Sequence, residues 1–314
     1  MSKRSTRSSG SGGYSIVEML IAMAIGLAVT GGALSLALSS RRLYEADQAR
    51  TRLNQSLRAS KDFLVVDIRQ AGERLGPNFP AIEIVGGEDL PGGLAGDPDE
   101  LILRRNLLDT VLFVCADVDP GLDELVVAVK SSPPSSSCVA LPVEAGESYP
   151  PNLQNWSDHR VAAGGVVAAY LYNPVTEEGE FFDYESESEE TGEFVVSKAS
   201  GSDDWETGCL EDHECRLYIL EERRYRISQG LLQVIVDGDE GNPIHLVDSI
   251  VDFQLRVFPK PTESDPTPDP LESFDGDGWD KLRTVEVSVD GRTELRDRLL
   301  ERGWTAEVMP RNVL

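Results

Sequence analysis

Met19-Leu20-Ile21-Ala22-Met23-Ala24-Ile25-Gly26-Leu27-Ala28-Val29-Thr30-Gly31-Gly32-Ala33-Leu34-Ser35-Leu36-Ala37-Leu38 carries no charged side chain. Wound as an α-helix, such a run extends about 30 Å, the thickness of a bilayer's hydrocarbon core. Lys3, Arg4 and Arg7 precede it without any acid among residues 1–13, and Arg41 and Arg42 follow it. A basic leader favours a cytoplasmic start and an exported body, although the arginines beyond the run weaken that bias. One acid, Glu18, stands at the head of the run. A carboxylate there is costly and usually has a partner, or it reaches the interface. A cleaved secretory signal would end in a small-residue site, and Ala33 and Ser35 are small. The apolar run is longer than an ordinary signal core, however, and a helical pattern continues beyond it. A plain signal anchor accounts for the length but leaves Glu18 unexplained.

The residues around that acid read Gly13-Tyr14-Ser15-Ile16-Val17-Glu18-Met19-Leu20-Ile21-Ala22. This stretch resembles the processing site of type IV prepilins and type II secretion pseudopilins. The resemblance implies that a membrane aspartyl peptidase, prepilin peptidase, cuts between Gly13 and Tyr14. It implies N-methylation of the new first residue, Tyr14, where the family usually has Phe, and it makes Glu18 the fifth mature residue. Glycine before the cut lets the backbone enter a narrow cleft. The freed amine and Glu18 of a neighbouring subunit would pair, making tolerable two charges that are expensive alone. Gly26, Gly31 and Gly32 would permit close helix approach or local unwinding, and they serve equally as ordinary small residues of a span.

Beyond Arg41 the pattern stays helical. Leu43, Ala46, Ala49, Leu53, Leu57, Leu64, Ile68 and Ala71 recur at three- and four-residue steps with one seven-residue gap, and Gly72 is a natural stop. The reading is one helix over 14–71. Its end, Phe63-Leu64-Val65-Val66-Asp67-Ile68-Arg69-Gln70-Ala71-Gly72, is similar to that of PilW-type minor pilins, to which pseudopilins of the J class are related. Leu246–Leu255, Leu282–Val289 and Thr305–Asn312 resemble later segments of the same family more loosely, and residues 73–214 are not matched.

After Gly72, short apolar runs are broken by Gly, Pro and Asp. Strands are predicted over 81–85, 100–104, 110–116, 124–129, 165–172, 193–198, 215–227, 231–237, 249–258 and 282–290. Val251, Phe253, Leu255 and Val257 alternate with polar residues, as do Val285, Val287 and Val289. Gln229-Gly230 suggests a hairpin. The expected fold class is α+β: a long amino-terminal α-helix, half membrane-spanning and half amphipathic, packed against a mainly antiparallel β head. The expected organisation is a cleaved leader (1–13), a transmembrane or filament-core helix (14–40), an amphipathic extension (41–72) and a β-rich head (73–314). Three segments read as surface loops: Ser/Pro-rich 131–137; residues 177–190, with eight acids and no base; and 259–280, with five prolines.

The net charge of the chain is −26. Setting the leader's three bases aside leaves 26 basic against 55 acidic side chains, a balance of −29. Such a body repels phosphate, which argues against nucleic-acid binding. Cys115, Cys138, Cys209 and Cys215 are disulfide candidates for an exported protein. Three pairings are open, with proximity favouring Cys115–Cys138 and Cys209–Cys215. A zinc site from Cys209, His213 and Cys215 is a rival that lacks a clear fourth ligand. Asp275, Asp277 and Asp280, spaced by turn glycines, are a candidate calcium cage without the full loop or closing Glu of an EF-hand. Asp237-Gly238-Asp239 and the pair Asp117 and Asp119 are weaker versions. No other cofactor is expected.

The chain contains no His-Glu-x-x-His, no Gly-x-Ser-x-Gly and no phosphate-binding glycine loop, and His159, His213 and His245 are scattered. The expectation is a structural protein rather than an enzyme. By resemblance it is a minor pilin that helps initiate, prime or cap a type IV pilus, meeting other major and minor pilins through its helix. It would sit in the inner membrane with a periplasmic head before assembly and on the pilus at the cell surface afterwards. A type II secretion pseudopilin is the close alternative. A signal-anchored periplasmic enzyme or calcium-dependent adhesin is the alternative from another class.

Overall fold

The computed structural model describes the chain except residues 1–14, 77–78, 119, 131–137, 139–141, 145, 200–203, 211–213, 263–264, 277, 296–297 and 313–314. It forms two compact bodies, residues 1–52 with 294–300 and residues 53–293 with 301–314. The architecture is α+β: a long apolar amino-terminal helix followed by a mostly antiparallel β domain.

Helix α1 runs Ile16–Gln70. In the second body its buried residues are Leu53, Leu57, Ser60, Leu64, Asp67 and Ile68. The seven-residue gap in the apolar stripe is therefore filled by Ser60. Its hydroxyl donates to Leu57 O at 2.8 Å and receives Trp304 Nε1 at 3.3 Å, so a polar side chain holds an apolar position without an unmet group. Gly72 ends the helix for two reasons. Its φ of +75° is left-handed, and a Cβ built on it would lie 2.1 Å from the Trp279 ring. Its N–H then donates to Arg104 O at 2.8 Å, tying the helix end to a strand.

That strand belongs to a five-stranded sheet in the order β1-β2-β9-β10-β11. The strands are β1 (Ile82–Val85), β2 (Glu100–Asn106), β9 (Leu220–Ser228), β10 (Leu231–Val236) and β11 (Ile244–Asp248). Strands β9 and β10 meet at Gln229 and Gly230, both at positive φ (53° and 75°), the geometry of a two-residue hairpin turn. A second sheet pairs β12 (Ile250–Pro259), β13 (Leu282–Leu295) and β14 (Arg298–Val308). Gly291 of β13 lets the helix approach closely, since a Cβ there would meet Leu53 Cδ1 at 2.7 Å.

Between β2 and β9 the chain leaves the first sheet and builds another. Its six strands run β3-β8-β5-β6-β7-β4. They are β3 (Leu112–Phe113), β4 (Glu124–Val129), β5 (Val167–Asn173), β6 (Glu178–Glu190), β7 (Glu193–Lys198) and β8 (Arg216–Tyr218). Helix α2 (Pro151–Ala163) packs on this sheet through Leu153, Trp156 and Ser157. The largest core of this lobe, including Trp156, Tyr184, Phe194, Trp205 and Cys215, is drawn wholly from residues 112–219. Asn106 and Leu220 face each other in the β2–β9 ladder, so the lobe is an insertion whose ends meet. Phe79 joins it to the first sheet by packing on Tyr170, Tyr172 and Tyr218.

Several expectations are corrected. Residues 178–190 are a strand paired between β5 and β7, not a loop; most of its acids are exposed as expected, but one turns inward. Glu187 accepts Ser157 Oγ at 2.6 Å, Arg160 Nη2 at 2.8 Å and Arg160 Nε at 3.0 Å, and also the Tyr184 hydroxyl. Burial alone would raise its pKa, but these donors outweigh burial and hold the carboxyl below the ordinary Glu value. The predicted strand 215–227 is two strands in different sheets, divided at Ile219 where the insertion rejoins. Helix α2 was not anticipated, although Pro151 at its start and the left-handed Gly164 at its end are ordinary helix boundaries. The 131–137 segment lies outside the described residues.

Candidate membrane and assembly helix

The first body contains the residues on which the functional reading rests. From Ile16 to Leu38 every side chain of α1 is exposed, Ile16 at 80%, Leu27 at 73% and Leu36 at 71%. This is the one helix among the described residues long and apolar enough to cross a membrane. Apolar residues occupy its whole circumference, unlike the one-sided stripe of a helix that packs on a domain. Covering such a surface calls for lipid or for other helices. Its polar interruptions suit that environment. Thr30 Oγ1 donates to Gly26 O at 2.7 Å, which satisfies the hydroxyl within the helix. Cβ atoms built on Gly26, Gly31 and Gly32 would meet nothing within 4 Å, so these positions remain open for close approach by another helix.

Glu18 lies in the first turn of α1, where the exposed N–H groups favour a negative charge. It is exposed, and no ion-pair partner for it occurs among the described residues. Gly13 and Tyr14, the expected cleavage and methylation positions, lie outside the described residues.

The four cysteines form two disulfides, Cys115–Cys138 and Cys209–Cys215, with Cα separations of 5.1 and 6.2 Å. Both sit in the inserted lobe. The second bond removes two thiolates from the zinc alternative, whose His213 lies outside the described residues. Of the calcium candidates, Asp277 lies outside the described residues. Asp275 and Asp280 belong to no group of three or more His, Cys, Asp or Glu side chains able to hold a metal among the described residues. Asp237 is committed to structure, its carboxylate accepting the Glu222 N–H at 2.8 Å.

A depression of about 370 Å³ is lined by acids, among them Asp89, Asp97, Asp99 and Glu272. The buried member, Asp99, accepts Gly87 N at 2.9 Å and Leu255 N at 2.7 Å. Burial raises its pKa and those two backbone donors lower it, leaving it above the ordinary Asp value. Its oxygens hold a loop against β12, which gives this depression a structural role.

Another buried charge, Arg104, is likewise structural. It reaches Glu222 at 2.7 Å, Glu83 at 3.0 Å and Pro80 O at 2.8 Å, so burial is opposed by two carboxylates and a carbonyl. Nothing in the sequence pattern marked this network, because its members come from β1, β2 and β9.

Together these features define a class: an acidic, disulfide-bonded β-rich protein carrying an amino-terminal helix able to anchor it in a membrane. We found no significant match to this chain among protein-family models, curated proteins or solved structures.

Proposed function

We propose that this chain is a type IV prepilin-like subunit, and more particularly a minor pilin. One combination carries the reading: an uncharged helix segment exposed on all sides, headed by Glu18 and preceded by Gly13-Tyr14 behind a basic leader. Before assembly, lipid covers that helix and the acidic body lies outside the cytoplasm, where its disulfides are stable. Cleavage after Gly13 frees an amine at Tyr14. In the filament, equivalent helices replace lipid, and Glu18 of one subunit pairs with the amine of another. The pairing offsets the desolvation of both charges and fixes the axial stagger between subunits.

The insertion between β2 and β9 favours a minor role. A head enlarged by more than a hundred residues fits poorly into a densely repeated lattice and fits readily at a tip or initiating complex. The test is mass spectrometry of the mature amino terminus after coexpression with an active prepilin peptidase. The expected product begins at N-methyl-Tyr14. An intact leader under those conditions overturns the reading.

A further inference from the structure

We propose that Arg42 and Arg298 form a binding site for the phosphate of an anionic phospholipid headgroup, at the membrane edge where α1 emerges. The proposal rests on reading the first half of α1 as a membrane span. Within the first body, a depression of about 460 Å³ is lined by Arg42, Leu43 and Ala46 of α1 and by Leu295 and Arg298 of the β13–β14 hairpin, with Ser39 and Glu45 completing it. Arg42 and Arg298 are both exposed, and neither has an ion-pair partner among the described residues. Their neighbour Arg41 is different, since its Nε reaches Glu45 at 3.1 Å. In a chain with 55 acids and 29 bases, two guanidinium groups on one depression without an ion-pair partner among the described residues are conspicuous. A guanidinium binds a phosphate through paired N–H donors, a geometry that lysine lacks.

The position along the helix supplies the partner. Leu38 ends the uncharged run, so Ser39 to Ala46 cover roughly the next 12 Å of helix axis. The headgroup layer occupies about 5–8 Å beyond the hydrocarbon on each side. Leu43 and Tyr44 are each 65% exposed, and Leu299 on the hairpin is 58% exposed. Apolar side chains, a tyrosine and arginines together match the composition of a membrane interface. Glu45 opposes an anion at this site, and Arg41 neutralises part of its charge.

The test is native mass spectrometry of the detergent-solubilised full-length chain titrated with phosphatidylglycerol, phosphatidylcholine or inorganic phosphate. Phosphatidylglycerol is expected to bind in preference to phosphatidylcholine. R298Q should weaken it about fivefold, and R42Q/R298Q about 25-fold. Both positions are exposed, so the variants should keep the wild-type circular dichroism spectrum and melting temperature. Equal binding of the two lipids, an unaltered affinity in the double variant, or inorganic phosphate competing as well as the lipid would each overturn the proposal. Flotation of the wild-type chain with phosphatidylcholine vesicles separates the two readings. A chain that does not insert there defeats the membrane span itself, whereas insertion without phosphatidylglycerol preference defeats only the headgroup site.

Discussion

Arg223 of β9 donates from Nη1 to Asp67 of α1 across 2.7 Å, and the Tyr225 hydroxyl two residues along the strand donates to the same carboxylate oxygen. Asp67 is 8% exposed and lies in the one helical turn that also buries Leu64 and Ile68. The helix is thus seated by apolar contact and located by a charge. Burial and the Asp67 charge both push the Tyr225 phenol well above its ordinary value, so it remains a donor at every physiological pH. Asp67→Ala leaves two donors facing an empty acceptor position. Loss of about 1–3 kcal/mol is expected from urea unfolding of the detergent-solubilised chain, with a smaller loss for Asp67→Asn.

Gly72 gives a sharper test of why the helix stops. Gly72→Ala meets two obstacles, a left-handed φ of +75° and the Trp279 ring 2.1 Å from the new carbon. Gly192, at φ +91° in the turn joining β6 and β7, meets only the first, because nothing lies within 4 Å of its added carbon. Gly192→Ala should cost about 1–2 kcal/mol from backbone strain. Gly72→Ala should cost a further ~1–3 kcal/mol from overpacking. Equal thermal shifts in the two variants would remove Trp279 from the explanation.

How far the sequence reveals these features depends on whether the determining residues are near one another in the chain. The α1 stripe, its stop at Gly72 and the alternating β12 and β13 strands follow from local period and turn chemistry, and all were legible. The acid-rich 178–190 segment was not. Its eight-acid composition over residues 177–190 points to solvent, while Arg160 and Ser157 of α2, with Tyr184, hold Glu187 inward. The site shows the same division. Glu18 and the uncharged run are readable as text, whereas the partnership of Arg42 with Arg298 spans most of the chain and needs coordinates.

Glu187 can therefore be tested as the keystone of α2. Glu187→Gln keeps the shape and removes the charge that Arg160 and Tyr184 address. The expected loss is about 1–3 kcal/mol, confined to the inserted lobe. Hydrogen exchange should quicken in α2 and β6 while the α1 segment beyond Leu53 keeps its protection.

Asp237 predicts the pH dependence. Burial raises its pKa to about 6, reinforced by the neighbouring Glu221 and Glu222 carboxylates and opposed by the Glu222 N–H. A carboxyl with a folded-state pKa above its unfolded value binds its proton more tightly when folded. Its contribution to stability is complete below about pH 4 and is lost as the pH rises through about 6. Asp237→Asn keeps an acceptor for the Glu222 N–H and tolerates the φ of +50° at this position. The variant should be more stable than the wild type at pH 7, by on the order of 1–2 kcal/mol after solvent screening. It should lose that advantage at pH 4, which thermal melts at the two pH values would measure.

The facing pair Asn106 and Leu220 makes the insertion removable in principle. The two strands it interrupts already pair in register to their last residues, so a two-residue Asn-Gly turn can join β2 directly to β9. The deletion uncovers the aromatic seam, where Phe79 would lose Tyr170, Tyr172 and Tyr218 together and Leu220 and Leu75 would lose the same cover, and it takes from Arg74 its partners Leu107 O and Asp109. Replacing residues 107–219 by that turn, with Phe79→Ser to make the new surface polar, should leave the α1 seat intact. Cooperative urea unfolding and a retained near-ultraviolet signal from Trp279 and Trp304, the two tryptophans left in the shortened chain, are the expected readings. The excised 107–219 segment retains both disulfides and the whole core around Trp156, and it should fold in oxidising conditions but not after reduction. Loss of cooperative unfolding in the shortened chain would mean that the first sheet depends on the insertion, and that the large head is a single folding unit rather than a smaller one with an added lobe.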